Sequence, residues 1–225
     1  MRREIVKTAD GSTTLYIPDW EEHYHSTHGA INEAKHVFMK MGLQPKFEDK
    51  AVNSINILEV GFGTGLNALL TVMEALKNGV QINYTGLEAY PLTDVEVKSL
   101  NYTELLEGFA SAKYFQAIHE APWNEPQAIT ENFQLFKNQM LLEDFSEKEN
   151  LDLIYFDAFC ARVQPELWSE AIFEKMFQAL RLNGTLVTYS AKGSVRRAMQ
   201  AAGLKVERLP GPPGKREMLR AIKTL

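Results

Sequence analysis

The chain has 225 residues, with 45% hydrophobic and 24% charged, so it is too apolar to be disordered and long enough for one elaborated domain with a core that needs no staples. Its net charge of −5 argues against a protein coated all over for nucleic acid, yet the segment from Lys192 to Leu225 carries +7 and residues 1–191 carry −12. A single cysteine, Cys160, excludes an internal disulfide framework, and no apolar run approaches the ~20 residues of a bilayer span.

The start, MRREIVKTADGSTTLYIPDW, has basic residues but no apolar centre like that of a signal peptide, and a cytoplasmic protein with no membrane partner is expected. EIVKTADGSTTLYI holds two alternating apolar runs around Asp10-Gly11, a hairpin signal. Ala30, Ala34, Val37, Phe38 and Met41 recur at helical spacing over 29–41, with Gly42 as the expected stop. An alternation follows: a buried strand at 55–60, a helix at 66–76, a second strand at 82–89 and a helix from Thr93, its N-cap, to Leu106. Residues 107–132 have no clear pattern, and Pro122 and Pro126 break any long element there. A weaker strand at 133–137 and a strong one at 152–159 come next. The spacing then predicts a helix from Pro165 to Leu182 ended by Asn183-Gly184, a strand at 184–190 and a helix at 194–202 stopped by Gly203. LKVERL (204–209) and EMLRAI (217–222), joined by GPPGKR, read as an antiparallel pair. Strands alternating with helices predict an α/β fold with a mainly parallel sheet, whose ligands sit outside the carboxyl ends of the strands.

The sharpest local signal is EVGFGTG, from Glu59 to Gly65, between a predicted strand and a predicted helix. Gly61 and Gly63 allow a tight turn and close approach of a ligand. A dinucleotide fingerprint needs its third glycine where Leu66 stands, whereas Gly65 comes one residue early. G-x-G-x-G preceded by the acid Glu59 resembles the first motif of S-adenosylmethionine-dependent methyltransferases, whose ligand carries an ammonium that an acid near Glu59 could hold directly or through water. Glu88 ends the second strand, where a carboxylate can accept hydrogen bonds from both ribose hydroxyls of either cofactor class. The third strand should end near the adenine, which makes the amides of Asn138 and Gln139 candidates for the base edge.

Asp157 ends the fourth strand, at the mouth of the cleft, where a carboxylate can orient an ammonium and take its proton. Phe159 could stack on a base or cover the sulfonium. Cys160 lacks any base nearby in sequence and is expected to be a buried, inert thiol. His23, His25 and His28 form an H-x-H-x-x-H cluster with His36 beyond, but no cysteine or acid with a ligand role accompanies them, and no metal is expected.

Taken in order, several segments resemble one family: the methyltransferase domain of the bifunctional tRNA wobble-uridine modification enzyme MnmC, with its stand-alone relatives called MnmD. They are Tyr24, Ser26, Gly29 and Glu33; GFGTGLN (61–67); LEAYPLT (87–93); YFDAFCARVQPELW (155–168); NGTLVTYSAKGSVRRAMQAAG (183–203); and GPPGKREML (211–219). The resemblance implies a Rossmann-like class I methyltransferase sheet, mainly parallel with an antiparallel last strand. The first fifty residues, with their hairpin and helix, read as an extension packed on the larger domain, which the resemblance makes a methyltransferase domain over 51–225.

The family methylates the exocyclic amine of 5-aminomethyl-2-thiouridine at the tRNA wobble position. The resemblance therefore implies S-adenosylmethionine as cofactor, held by Gly61, Gly63, Gly65 and Glu88 with Ser26 and Glu33 closing the pocket, and Asp157 facing the reacting amine. The anticodon stem-loop of tRNA would be the partner, with Lys192, Arg196, Arg197, Lys215 and Arg216 as phosphate contacts. On charge alone, that basic end reads first as a solvated surface. In the bifunctional enzyme a flavin-dependent oxidase follows; here the chain ends at Leu225, soon after KREML, so that activity is not expected and a separate enzyme would supply the aminomethyl precursor. Departures fall at Ala158, at Cys160-Ala161-Arg162-Val163-Gln164 and at Asn138-Gln139, on the acceptor and adenine sides. The competing readings are a methyltransferase acting on a small molecule or protein, a nicotinamide-binding oxidoreductase, and an inactive binding module that kept the fold.

Overall fold

The computed structural model describes residues 1–48, 52–106 and 110–225. The N-terminal hairpin pairs β1 (Glu4–Lys7) with β2 (Thr13–Ile17), and β3 (Glu22–His23) adds to β2 as a third antiparallel strand. The Asp10 carboxylate in the hairpin turn accepts from Ser12 N–H (3.0 Å) and from Asn32 N–H (3.0 Å), so the turn also caps the next helix, α1 (Ala30–Ala34). This helix continues over Lys35–Leu43 in wide turns, in which Gln44 N–H reaches back five residues to Met39 O. Gly42 does not stop it. A Cβ there would lie 2.9 Å from Val187, so the glycine instead admits close packing of helix on sheet. The expected division between residues 50 and 51 falls outside the described residues.

The main sheet has eight strands. Introduced in chain order, these are β4 (Ser54–Val60), β5 (Gln81–Glu88), β6 (Pro126–Thr130), β7 (Phe133–Gln139), β8 (Leu151–Phe156), β9 (Leu180–Thr188), β10 (Lys205–Pro210) and β11 (Glu217–Ile222). The spatial order is β10-β11-β9-β8-β4-β5-β7-β6. The five central strands, β9-β8-β4-β5-β7, run parallel, while β11, β10 and β6 are each antiparallel to the neighbour they join. This is the doubly wound arrangement expected from the sequence. The chain leaves β4 toward β5 on one side and returns to β8 on the other, and such a switch point opens a crevice at the strand ends.

Period-two alternation assigns the faces. Ile55 and Ile57 of β4 pack with α2 (Leu66–Asn78) and the N-terminal helix, whereas Leu58 and Val60 pack on the opposite face. There Ile172, Phe173 and Met176 of α6 (Glu170–Ala179) and Val195 and Met199 of α7 (Gly193–Ala201) complete a second core.

Three predicted elements come out differently. The helix expected over 93–106 splits into α3 (Asp94–Lys98), opened by the Thr93–Glu96 capping box, and α4 (Tyr102–Leu105). Asn101 causes the break: its N–H donates to Thr13 Oγ1 (3.0 Å), its Nδ2 donates to Gly11 O (3.0 Å), and its Oδ1 accepts from Thr13 N–H (2.8 Å). The 165–182 helix becomes a short 3-10 turn, Pro165–Trp168, followed by α6. β9 begins at Leu180, and Asn183-Gly184 lies inside that strand where its pairing with β8 shifts register. The unpatterned stretch contains α5 (Ala110–Glu120) and β6; residues 107–109 lie outside the described residues. Among the described residues, no helix is long and apolar enough to cross a membrane.

Candidate active site

The carboxyl ends of β4, β5 and β8 open into a cavity of about 750 Å³. After β4 the chain turns sharply: Gly61 and Phe62 N–H both donate to Leu87 O (3.0 and 2.9 Å), folding the turn over the end of β5. Gly61 has φ 85°, and a Cβ there would lie 2.7 Å from the Asp157 carbonyl oxygen. Gly63 has φ 48°, and a Cβ would press on the Tyr24 ring at 3.2 Å. Both positions demand glycine for conformation and for space. Gly65, at φ 70°, is the left-handed N-cap of α2 and is not among the cavity-lining residues.

Glu88 borders the cavity at the end of β5. Its Oε2 accepts from Gly63 N–H (2.9 Å) and its Oε1 from Tyr90 N–H (2.9 Å), so the carboxylate is oriented by backbone and keeps lone pairs free for a diol. Glu59 behaves differently. Strand alternation turns it beneath α2, where it is 1% exposed. Tyr84 Oη–H (2.7 Å) and Asn67 Nδ2 (2.8 Å) donate to its two oxygens. Burial pushes its carboxyl well above the usual range, and the neighbouring carboxyls of Asp157 and Glu88 push the same way against the hydrogen bonds from Tyr84 and Asn67.

Asp157 stands in the cavity wall one residue past β8, its N–H donating to Val60 O (2.9 Å). Asn67 spends its second amide hydrogen on Asp157 Oδ2 (2.9 Å), bridging the two acids. Burial raises the Asp157 carboxyl to about 7; Glu33 adds to the rise, while Asn67 and Lys215 oppose it. A carboxyl that titrates near neutrality at a strand end is suited to general acid–base work.

The far wall comes from the N-terminal segment. Ser26 N–H donates to Glu33 Oε2 (2.8 Å), and Lys215 Nζ lies 2.7 Å from Glu33 Oε1 and 4.0 Å from the Tyr189 ring centroid. Lys215, expected on a phosphate-contacting surface, thus sits inside the cavity paired with a buried acid. The other basic candidates lie outside it: Lys192, Arg197 and Arg216 are exposed and Arg196 is half-buried.

Of the remaining candidates, Phe159 borders the cavity, but Asn138 and Gln139 do not. The chain crosses the cavity edge only after β7, at Met140–Glu143. The histidines are held singly. His25 bridges Thr14 Oγ1 (3.1 Å) and Thr64 Oγ1 (3.3 Å) with burial lowering it to about 4, and His23 packs on Tyr16. Among the described residues, no group of three or more His, Cys, Asp or Glu side chains is placed to hold a metal ion. Sequence reasoning missed Trp20 and the bridging role of Asn67; the asparagine ends the glycine motif, and that proximity was its only signal.

Glycines whose Cβ would fill the cradle, and a backbone-oriented carboxylate at the end of the adjacent strand, fit a nucleoside-bearing cofactor. The sheet order and the strand-end turn place the protein in the doubly wound, nucleoside-binding class. A family model described as S-adenosyl-L-methionine-dependent methyltransferase matches residues 110–224, and the chain belongs to that family. Its cofactor is S-adenosylmethionine. The chain is 31% identical over 221 residues to the tRNA 5-methylaminomethyl-2-thiouridine biosynthesis bifunctional protein MnmC of Leptospira interrogans, covering 94% of this chain and 34% of the relative. It is 29% identical over 231 residues to the protein of the same name from Cupriavidus metallidurans, covering 96% and 33%. The chain thus spans about a third of the length of the curated relatives it matches. The solved structure of MNMC2 from Aquifex aeolicus superposes with a TM-score of 0.81 at 25% identity, covering 98% of this chain and 70% of that one. A probable spermidine synthase from Corynebacterium glutamicum shares the fold alone, with a TM-score of 0.52 at 16% identity over 99% of this chain and 76% of that one.

Proposed function

We propose that the protein methylates the exocyclic amine of 5-aminomethyl-2-thiouridine at the wobble position of tRNA, giving 5-methylaminomethyl-2-thiouridine. The observation that carries the reading is the Asp157 carboxyl in the cavity wall beside the glycine turn, held by Asn67. Gly61 and Gly63 would admit the cofactor to the turn, Gly65 would shape the helix start behind it, and Glu88 would take its ribose hydroxyls. Ser26 and Glu33 would close the opposite wall, with Glu33 fixed by Lys215. When bound, S-adenosylmethionine supplies an electrophilic methyl group.

An amine attacks only with its lone pair free, and at neutral pH a primary alkylamine is mostly an ammonium. Asp157 would accept a hydrogen bond from that ammonium, orient it and take its proton. A carboxyl near 7 suits the task, because it is a stronger base than an ordinary aspartate and is still about half ionised at pH 7.

The macromolecular acceptor is supported by the exposed basic side chains Lys192, Arg197 and Arg216 beside the cavity end of the sheet, with Arg196 half-buried among them. Their contacts to tRNA would be salt-sensitive and independent of sequence. The MnmC relatives carry the same modification in their name. The test is to incubate the protein with labelled methyl donor and bulk tRNA lacking the final methyl, then identify the labelled nucleoside. Label in 5-methylaminomethyl-2-thiouridine is expected; label only in small molecules or protein would overturn the reading.

A further inference from the structure

The outer wall of the cavity is aromatic. Phe159 lies between Trp20 and Tyr24, with ring centroids 5.3 and 4.9 Å away and planes at 80° and 84°. All three rings are half-buried and border the cavity. Near-perpendicular contacts set an edge against a face and leave other faces free for a flat ligand. Tyr24 sits against Gly63, on the glycine-turn side, so Phe159 and Trp20 form the part of the wall farther from that turn. Phe159 is fixed from behind, where Trp168 Nε1–H donates to its carbonyl oxygen (2.7 Å).

Trp20 comes from the turn between β2 and β3, far from Phe159 in sequence, and the segment following Asp157 holds it. Arg162 Nη2 lies within donating distance of Trp20 O (3.0 Å), Glu21 O (3.1 Å) and Glu22 Oε2 (3.3 Å), and Cys160 Sγ–H donates to the same Glu22 oxygen (2.7 Å). Cys160 and Arg162 fall where the sequence departs from the pattern it otherwise resembles. In this chain they tie the two halves of the aromatic wall together.

We propose that Trp20 and Phe159 form the subsite for the acceptor's pyrimidine ring, and that Arg162 and Cys160 are positioning residues that hold Trp20 in that subsite. The inference rests on the reading of the chain as an RNA amine methyltransferase and locates the acceptor base within it. Phe159 is two residues past Asp157, so a base stacked on this wall keeps its exocyclic substituent beside the carboxyl. Stacking on an aromatic face needs no groove readout, which suits an unpaired loop nucleotide drawn out of its stack.

The test uses an anticodon stem–loop RNA bearing 5-aminomethyl-2-thiouridine as acceptor and, separately, the same RNA with a fluorescent uracil analogue at that position. Trp20→Ala should raise KM for the RNA by about 10-fold or more, the scale of one lost base–aromatic stack. The Kd for S-adenosylhomocysteine should stay within about twofold, since that ligand makes no stack on Trp20. Trp20→Phe keeps a ring and should recover most of the loss. Arg162→Ala should raise KM in the same direction but less. Binding of the wild type should quench the analogue, and Trp20→Ala should remove most of that quenching. Methyl transfer by the wild type with unchanged KM in Trp20→Ala, or with Trp20→Phe no better than Trp20→Ala, would overturn the subsite alone. Neither transfer nor quenching with the wild type would overturn the underlying reading and the subsite with it. Equal loss of cofactor affinity in Trp20→Ala would assign the wall to the cofactor instead.

Discussion

Replacing the strand-end acid by its neutral isostere, Asp157→Asn, should make the protein slower and more stable. The carboxyl titrates at about 7 rather than 3.8, mainly because it is buried and also because Glu33 lies near, with Asn67 and Lys215 opposing. In the unfolded chain the proton leaves near pH 4, whereas the folded protein holds it to about pH 7. Between those values unfolding releases a proton, so rising pH destabilises the fold, and above pH 7 the penalty is complete. Moving one titration from 3.8 to about 7 corresponds to about 4 kcal/mol. Solvent reaching this half-buried group lowers that figure, so it is an upper bound. The amide variant does not titrate and its Oδ1 can still accept from Asn67 Nδ2. Its stability advantage should therefore be small at pH 4, grow through pH 5 and 6 and level off above pH 7. Urea unfolding of both proteins at pH 4, 5, 6, 7 and 8 measures this difference directly. Methyl transfer by the variant should fall by about 10²-fold or more, the usual scale for loss of a general base. A stability difference independent of pH, or a wild type more stable than the variant at pH 8, would refute the electrostatic account. Full activity in the variant would refute the catalytic one.

Gly63→Val should abolish binding of S-adenosylhomocysteine in calorimetry, because a branched side chain at φ 48° is strained and its Cβ meets the Tyr24 ring; unchanged affinity would remove the turn from the cofactor site. Asn67→Leu removes the donor that favours the ionised form of Asp157. The acidic limb of the pH–kcat profile should move upward by about one pH unit, the scale of one charge-assisted hydrogen bond, whereas a uniform rate loss with an unmoved limb would make Asn67 merely structural. Charge reversal at Arg196, Arg197 and Arg216 together should weaken tRNA binding and flatten its salt dependence, while a filter-binding salt slope equal to that of the wild type would exclude this face. Lys215 belongs to a different experiment, since its charge is already paired with Glu33 inside the cavity.

The strands that build the cavity floor are legible because a parallel strand buried on both faces must be a short apolar run. Ile55 to Val60 and Leu153 to Phe156 are such runs, and an acid just beyond the end of one can only face the crevice. The turn after β4 is legible for a similar reason, since three glycines at that spacing have few other uses. The interrupted helices are not. The 93–106 helix has helical spacing throughout, and what breaks it is Asn101 bonding to a hairpin almost 90 residues earlier. Gly42 matches a helix stop by local rules, yet the requirement there comes from Val187 on a strand that forms much later in the chain. Asn138 and Gln139, read from the sequence as adenine-side residues, do not border the cavity, because β7 runs to Gln139 and the chain reaches the cavity edge only afterward.

Taken alone, the order of residues determined the alternation of strands and helices, the glycine turn and the acids placed beside it. These depend on periodicity and on backbone conformations only certain side chains allow. Packing of distant segments decided the rest. Glu59 is stoppered under α2 by Tyr84 and Asn67, Lys215 crosses 182 residues to meet Glu33, and the Trp20 ring meets Phe159 while its carbonyl accepts from Arg162. Each of these joins side chains that no local pattern relates. The charge and exposure that set their chemistry exist only once the chain has folded back on itself.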